Sequence, residues 1–72
     1  MKALELKFAR MRAGKSQDDM AAVIGKSRVS YSKKERGEVK FDDDEIVAIS
    51  RELNLTSEQV NDIFFDSRLP IR

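Results

Sequence analysis

Residues 16–37 read Ser16-Gln17-Asp18-Asp19-Met20-Ala21-Ala22-Val23-Ile24-Gly25-Lys26-Ser27-Arg28-Val29-Ser30-Tyr31-Ser32-Lys33-Lys34-Glu35-Arg36-Gly37. The punctuation of this stretch decides the fold. Ser16 is a good helix N-cap with Asp18 and Asp19 in the first turn, and Met20, Ala21 and Ile24 share one apolar face ahead of Gly25. Ser27 then caps a second helical segment that runs toward Gly37. A sharp turn between the two needs positive φ, which Gly25 supplies without a Cβ penalty. Ala21 is small enough to let the following helix cross close by.

Outward from this pair, apolar spacing and punctuation predict an all-α chain of about five short helices, with no strand-like alternation. In the first, Leu4, Phe8 and Met11 recur at helical intervals, and Gly14 closes it with Arg10, Arg12 and Lys15 near the negative end of its dipole. Asp42 is placed to cap a fourth helix with Ile46, Ile49 and Leu53 as its inner stripe. Thr56, with Gln59 three residues later, makes a capping box for the fifth, whose inner face is Val60, Ile63 and Phe64. The loops are short, as in a compact helical bundle, and residues 1–72 are expected to form a single domain.

Composition removes several kinds of chemistry. A chain of 72 residues has a thin core and little room for an enclosed substrate cavity. With no cysteine and no histidine, it has no disulfide, thiolate zinc site, imidazole base or histidine metal ligand. Neither enzymatic activity nor a cofactor is expected. Met1 to Arg12 has no apolar run of signal-peptide or membrane length, so a soluble, cytoplasmic protein is expected. The triple acid Asp42-Asp43-Asp44, with Glu45, lacks the remaining spaced ligands and glycine turn of a calcium loop. It reads better as a helix N-terminus than as a metal site.

The net charge of +1 hides a division along the chain: residues 1–40 hold eleven Lys/Arg against five Asp/Glu, and residues 41–72 hold three against eight. A basic front and an acidic back can attract and orient on a polyanion. The segment Lys26 to Arg36 concentrates the effect. It carries mainly cations and hydroxyls and almost nothing with which to join a core, and a helix polar nearly all round needs an external reason to be held in place. Its side chains suit the phosphate-lined grooves of duplex DNA, whereas the competing reading makes them a solvated face.

The stretch Ser16 to Gly25, followed by Ser27-Arg28 and ending Glu35-Arg36-Gly37, resembles the phage repressor and Cro family of helix-turn-helix domains, over about residues 4–65. The resemblance implies a transcriptional regulator, most closely a phage-type repressor or Cro-like protein, that binds a palindromic double-stranded operator as a homodimer. A DNA-binding antitoxin or restriction-system controller with a protein partner, or a protein-interaction module of the same fold, are the alternatives. Arg28, Val29 and Lys33 match positions that reach base edges. Gln17, Ser27, Ser30, Lys34 and Lys40 are the expected phosphate contacts. Arg10 and Glu35 are expected to bridge and fix the angle of the reading helix.

Two departures from the family pattern fall on that helix. Tyr31 stands where a branched aliphatic is common and is expected to pack its ring inward with the hydroxyl toward water or a phosphate. Lys34 stands at an apolar position and is expected to lay its methylenes on the core and extend its ammonium outward. Phe41 replaces a frequent proline. In the tail, Phe65, Leu69 and Ile71 offer apolar surface that either joins a two-fold dimer or folds back over the monomer's own core.

Overall fold

Three of the helices begin with a reciprocal capping box, which explains where they start. Ser16 Oγ accepts from the Asp19 N–H at 3.0 Å while the Asp19 carboxylate accepts from the Ser16 N–H at 2.8 Å. The same exchange joins Asp42 to Glu45 and Thr56 to Gln59. The computed structural model describes residues 1–70, and the expectation for Ile71 lies outside them. Its five helices are α1 (Ala3–Arg12), α2 (Gln17–Ile24), α3 (Arg28–Glu35), α4 (Asp43–Glu52) and α5 (Ser57–Phe65). The first has no side-chain cap and is tied at its start to α5, where the Lys2 N–H donates to the Ile63 carbonyl at 2.7 Å.

The α2–α3 turn is built as its residues require. Gly25 lies at φ +66°, and its N–H and that of Lys26 close onto the Ala22 and Ala21 carbonyls, the paired bonds of a Schellman motif. A Cβ at Gly25 would meet no atom within 4 Å, so the glycine answers to dihedral angle and not to space. Ser27 Oγ then accepts from the Ser30 N–H at 3.1 Å and starts α3.

Leu6, Met20, Tyr31 and Ile49 are completely buried, and Ala9, Ala21, Leu53, Ile63 and Phe64 complete the core. Phe41, in the α3–α4 loop, joins it from the side: its ring lies 6.1 Å from Tyr31 and meets Phe64 edge-on at 5.7 Å. The inner stripes expected for α2, α4 and α5 all face this core, with Ile24, Ile46 and Val60 half-buried against it.

The first helix faces the other way. Its buried residues are Leu6, Ala9 and Arg10, whereas Leu4, Phe8 and Met11 are 65, 48 and 55 % exposed. At about 100° per residue the two sets lie on opposite sides of the helix. Helical spacing identifies a stripe but not the side it turns to. Here the inner position is claimed by Arg10, whose guanidinium has a buried acceptor to reach.

Candidate nucleic-acid interface

Behind α3, a buried polar cluster sets its position. Arg10 Nε donates to Glu35 Oε1 at 2.7 Å, with both side chains almost entirely removed from water. Gln17 Nε2 donates to Glu35 Oε2 at 2.7 Å, and Arg10 Nη1 donates to the Lys15 carbonyl at 2.9 Å. One carboxylate at the end of α3 is therefore held by the last turn of α1 and the first residue of α2. The bridge expected between Arg10 and Glu35 is present, and Gln17 is its third member.

A second buried pair, not anticipated from the sequence, locks the other side. Lys34 Nζ sits 2.6 and 2.8 Å from the two oxygens of Glu45, with Lys34 9 % and Glu45 4 % exposed. Glu45 Oε1 also accepts from the Asp42 N–H at 2.9 Å, so one side chain both caps α4 and anchors α3. This corrects the assignment of Lys34 to a phosphate and of its ammonium to solvent. A cation at an inward position is stable only beside a buried anion, and the first turn of α4 supplies one. The combination of Lys34 at an apolar position with an acid-rich helix start was the available signal.

Tyr31 also departs from expectation. Its hydroxyl reaches neither water nor surface and has no hydrogen-bond partner. Burial first, and then the charge of Glu35, pushes its ionisation upward, against the influence of Arg10. Because the folded state keeps this proton after the unfolded chain has lost it, the stability contribution falls as pH rises above the ordinary tyrosine value of about 10. Tyr31→Phe removes a buried hydroxyl that has no hydrogen-bond partner. It is expected to leave stability at neutral pH unchanged or raised by about 1 kcal/mol and to flatten part of the alkaline decline, both read from urea denaturation across that pH range.

With its back occupied, α3 turns Arg28, Val29, Ser32, Lys33 and Arg36 outward. Val29 is 66 % exposed, a β-branched apolar side chain held in solvent. Arg28 is exposed, and among the described residues the one carboxylate within 4.0 Å of it is Asp18, at 3.9 Å. Ser27 and Lys40 are exposed and Ser30 is half-buried. Among the described residues Lys26, Lys33 and Lys40 have no carboxylate within 4.0 Å. Ser32 and Arg36 were missed as members of this face, although their four-residue steps from Arg28 place them on it. Arg36 donates to Ser32 Oγ and to Glu38, each at 2.6 Å.

The division of charge along the chain is largely spent inside the molecule. Lys34–Glu45, Lys15–Glu52 and Lys2–Asp62 each join the basic part to the acidic part. Asp42 and Asp44 border a shared surface cleft with Lys26, so the acidic segment is not segregated from the turn. Along the rim of α3, Lys26, Arg28, Lys33 and Lys40 keep local basic character, with no carboxylate closer than 3.9 Å among the described residues. At the triple acid, Asp42 and Glu45 are committed to the capping box.

A short helix braced from behind by two buried ion pairs, and presenting an outward face of cations, a hydroxyl and one apolar group, is the architecture of a groove-reading helix-turn-helix domain. The family model described as helix-turn-helix matches residues 6–60, and the chain belongs to that family, of the phage repressor and Cro type. That membership makes it a DNA-binding transcription regulator. Neither curated proteins nor solved structures returned a match. Among the described residues no helix is long and apolar enough to cross a membrane.

Proposed function

We propose that this chain is a sequence-specific regulator of the repressor or Cro kind, which occupies a palindromic operator as a dimer and excludes polymerase. The observation that carries the reading is the outward face of α3, where Arg28, Val29 and Lys33 stand exposed on one side of a helix whose other side is fully engaged. Arg28 and Lys33 donate to guanine O6 and N7 in the major groove, and Val29 packs on a thymine methyl group. Gln17, Ser27, Ser30 and Lys40 take phosphates, which set register without reading sequence. Two copies about 34 Å apart reach successive major grooves.

Selection of bound sites from a random duplex library tests this directly. The expected result is an enriched inverted repeat with half-sites about one helical turn apart. Recovery of no preferred sequence would return α3 to the role of a protein-interaction surface. Within the selected site, Arg28→Ala is expected to relax preference at one base position, worth about 1–3 kcal/mol, while Lys40→Ala weakens all duplexes alike and lowers the salt slope by about one. Titrations of matched and mismatched duplexes at several salt concentrations separate the two. Equal losses on every sequence would make Arg28 a phosphate contact.

A further inference from the structure

Most polar contacts outside the core join distant parts of the chain. Lys2 reaches Asp62 and Lys15 reaches Glu52. In the tail the Asn61 amide clips the Leu69 backbone at 2.8 and 2.9 Å, while Phe65 is half-buried against the core. The pair Arg36 and Glu38 joins nothing distant. Its members are two residues apart at the end of α3, with side chains 56 and 53 % exposed. Arg36 Nε donates to Glu38 Oε2 and Arg36 Nη1 to Ser32 Oγ, each at 2.6 Å. An exposed pair of this kind adds little to stability. An acid is also poorly placed beside a helix C-terminus, whose free carbonyls repel it.

The fold nevertheless fixes Glu38 there. Gly37 turns the chain at φ +84°, its N–H donating to the Lys34 carbonyl at 3.0 Å, and the Glu38 N–H donates to the Lys33 carbonyl at 2.9 Å. The Glu38 carboxylate is thereby kept at the rim of the outward face. The hydrogen bond from Arg36, then the charge of Arg36, and more weakly that of Lys33, hold its carboxyl below the ordinary range against desolvation. A guanidinium grips a phosphate through the same N–H donors that Arg36 gives to Glu38 and Ser32. In the protein without DNA, one carboxylate therefore occupies a cation of the reading helix in the manner of a phosphate.

We propose that Glu38 sharpens sequence discrimination by withholding Arg36 from DNA phosphates until base contacts have seated α3, an inference that rests on the DNA reading above. On a mismatched duplex α3 is not drawn fully into the groove, the phosphates stay distant, and Arg36 keeps Glu38. On a matched site the exposed Arg28, Val29 and Lys33 bring α3 close, a phosphate replaces Glu38 on Arg36, and the displaced carboxylate turns to solvent. A cation free to take any phosphate strengthens all duplexes alike. One released only by close approach favours the matched site, and the carboxylate left behind repels a backbone that is out of register. Glu38 touches no base in this scheme and acts through Arg36, as a positioning residue.

Titrations of the selected site and of a scrambled duplex at several salt concentrations test the proposal, with Glu38→Gln, Arg36→Met and the double variant. Both positions are exposed, and helical circular dichroism is expected to be unchanged in all three. Glu38→Gln is expected to tighten binding to the scrambled duplex about ten-fold at about 50 mM salt and to steepen its salt slope by about 0.9, the effect of one added phosphate contact. Binding to the selected site tightens by less than about three-fold, so the ratio between the two sequences falls. In the Arg36→Met background, Glu38→Gln is expected to change either affinity by no more than about two-fold, the residue of its charge alone. A gain equal on both duplexes, a gain that persists undiminished without Arg36, or no gain would overturn the proposal. A ratio of one in the unaltered chain overturns the DNA reading and this inference with it, whereas a ratio that Glu38→Gln leaves intact overturns this inference alone.

Discussion

Glu35→Ala is expected to destabilise the domain by about 3–5 kcal/mol, because it leaves the Arg10 guanidinium buried without its counter-charge. Arg10 keeps only the Lys15 carbonyl as an acceptor, and Gln17 loses the carboxylate that holds its amide. A domain of this size has only about 5–10 kcal/mol to lose, so the variant is expected to be partly unfolded at room temperature. Urea denaturation followed by circular dichroism measures the loss. The double replacement Arg10→Met with Glu35→Leu separates charge from packing: it removes both ions together and is expected to recover much of the stability. A loss below about 1 kcal/mol in the single variant would mean that water reaches the pair and that α3 is not held from behind as described.

The second large effect is expected at Lys34. Lys34→Ala strands Glu45, which is 4 % exposed, with the Asp42 N–H as its remaining donor, at a cost of about 3 kcal/mol. It also removes a cation 6.0 Å from the Phe41 ring centroid, where a small further attraction is lost. The decisive comparison is with DNA binding. A phosphate contact would lower the salt slope by about one; a structural cation leaves that slope unchanged in the folded fraction. Stability lost with the slope intact is the expected result. Stability intact with the slope reduced would return Lys34 to the DNA surface.

Elements were far more legible in the chain than their surroundings. Ser16, Ser27, Asp42 and Thr56 cap their helices through residues three positions away, and Gly25 carries its turn through its own dihedral angle, so a short window of sequence contains every atom involved. The Arg10–Glu35 bridge was legible for another reason: the resemblance supplied both ends of a contact separated by 25 positions. The outward face of α3 was legible because it is defined by the lack of anything apolar, apart from Val29 itself. Ser32 and Arg36 belong to that face by spacing alone.

What went unread involves two elements at once. The side chain of Lys34 has the same methylenes and ammonium whether it reaches phosphate or folds inward, and only the approach of α4 places Glu45 beside it. Tyr31 keeps its hydroxyl out of water because the whole residue is enclosed by the packed helices, with Arg10 and Glu35 as the charged groups that act on it. Leu4, Phe8 and Met11 form as regular a stripe as any inward one, yet α1 is rotated by Arg10 seeking Glu35. Local hydrogen bonds and dihedral preferences thus settle helix starts, turns and fold class from the sequence by itself. The facing of a helix and the pairing of a buried charge are set by competition among distant groups for the same enclosed space, which exists only once the helices have packed.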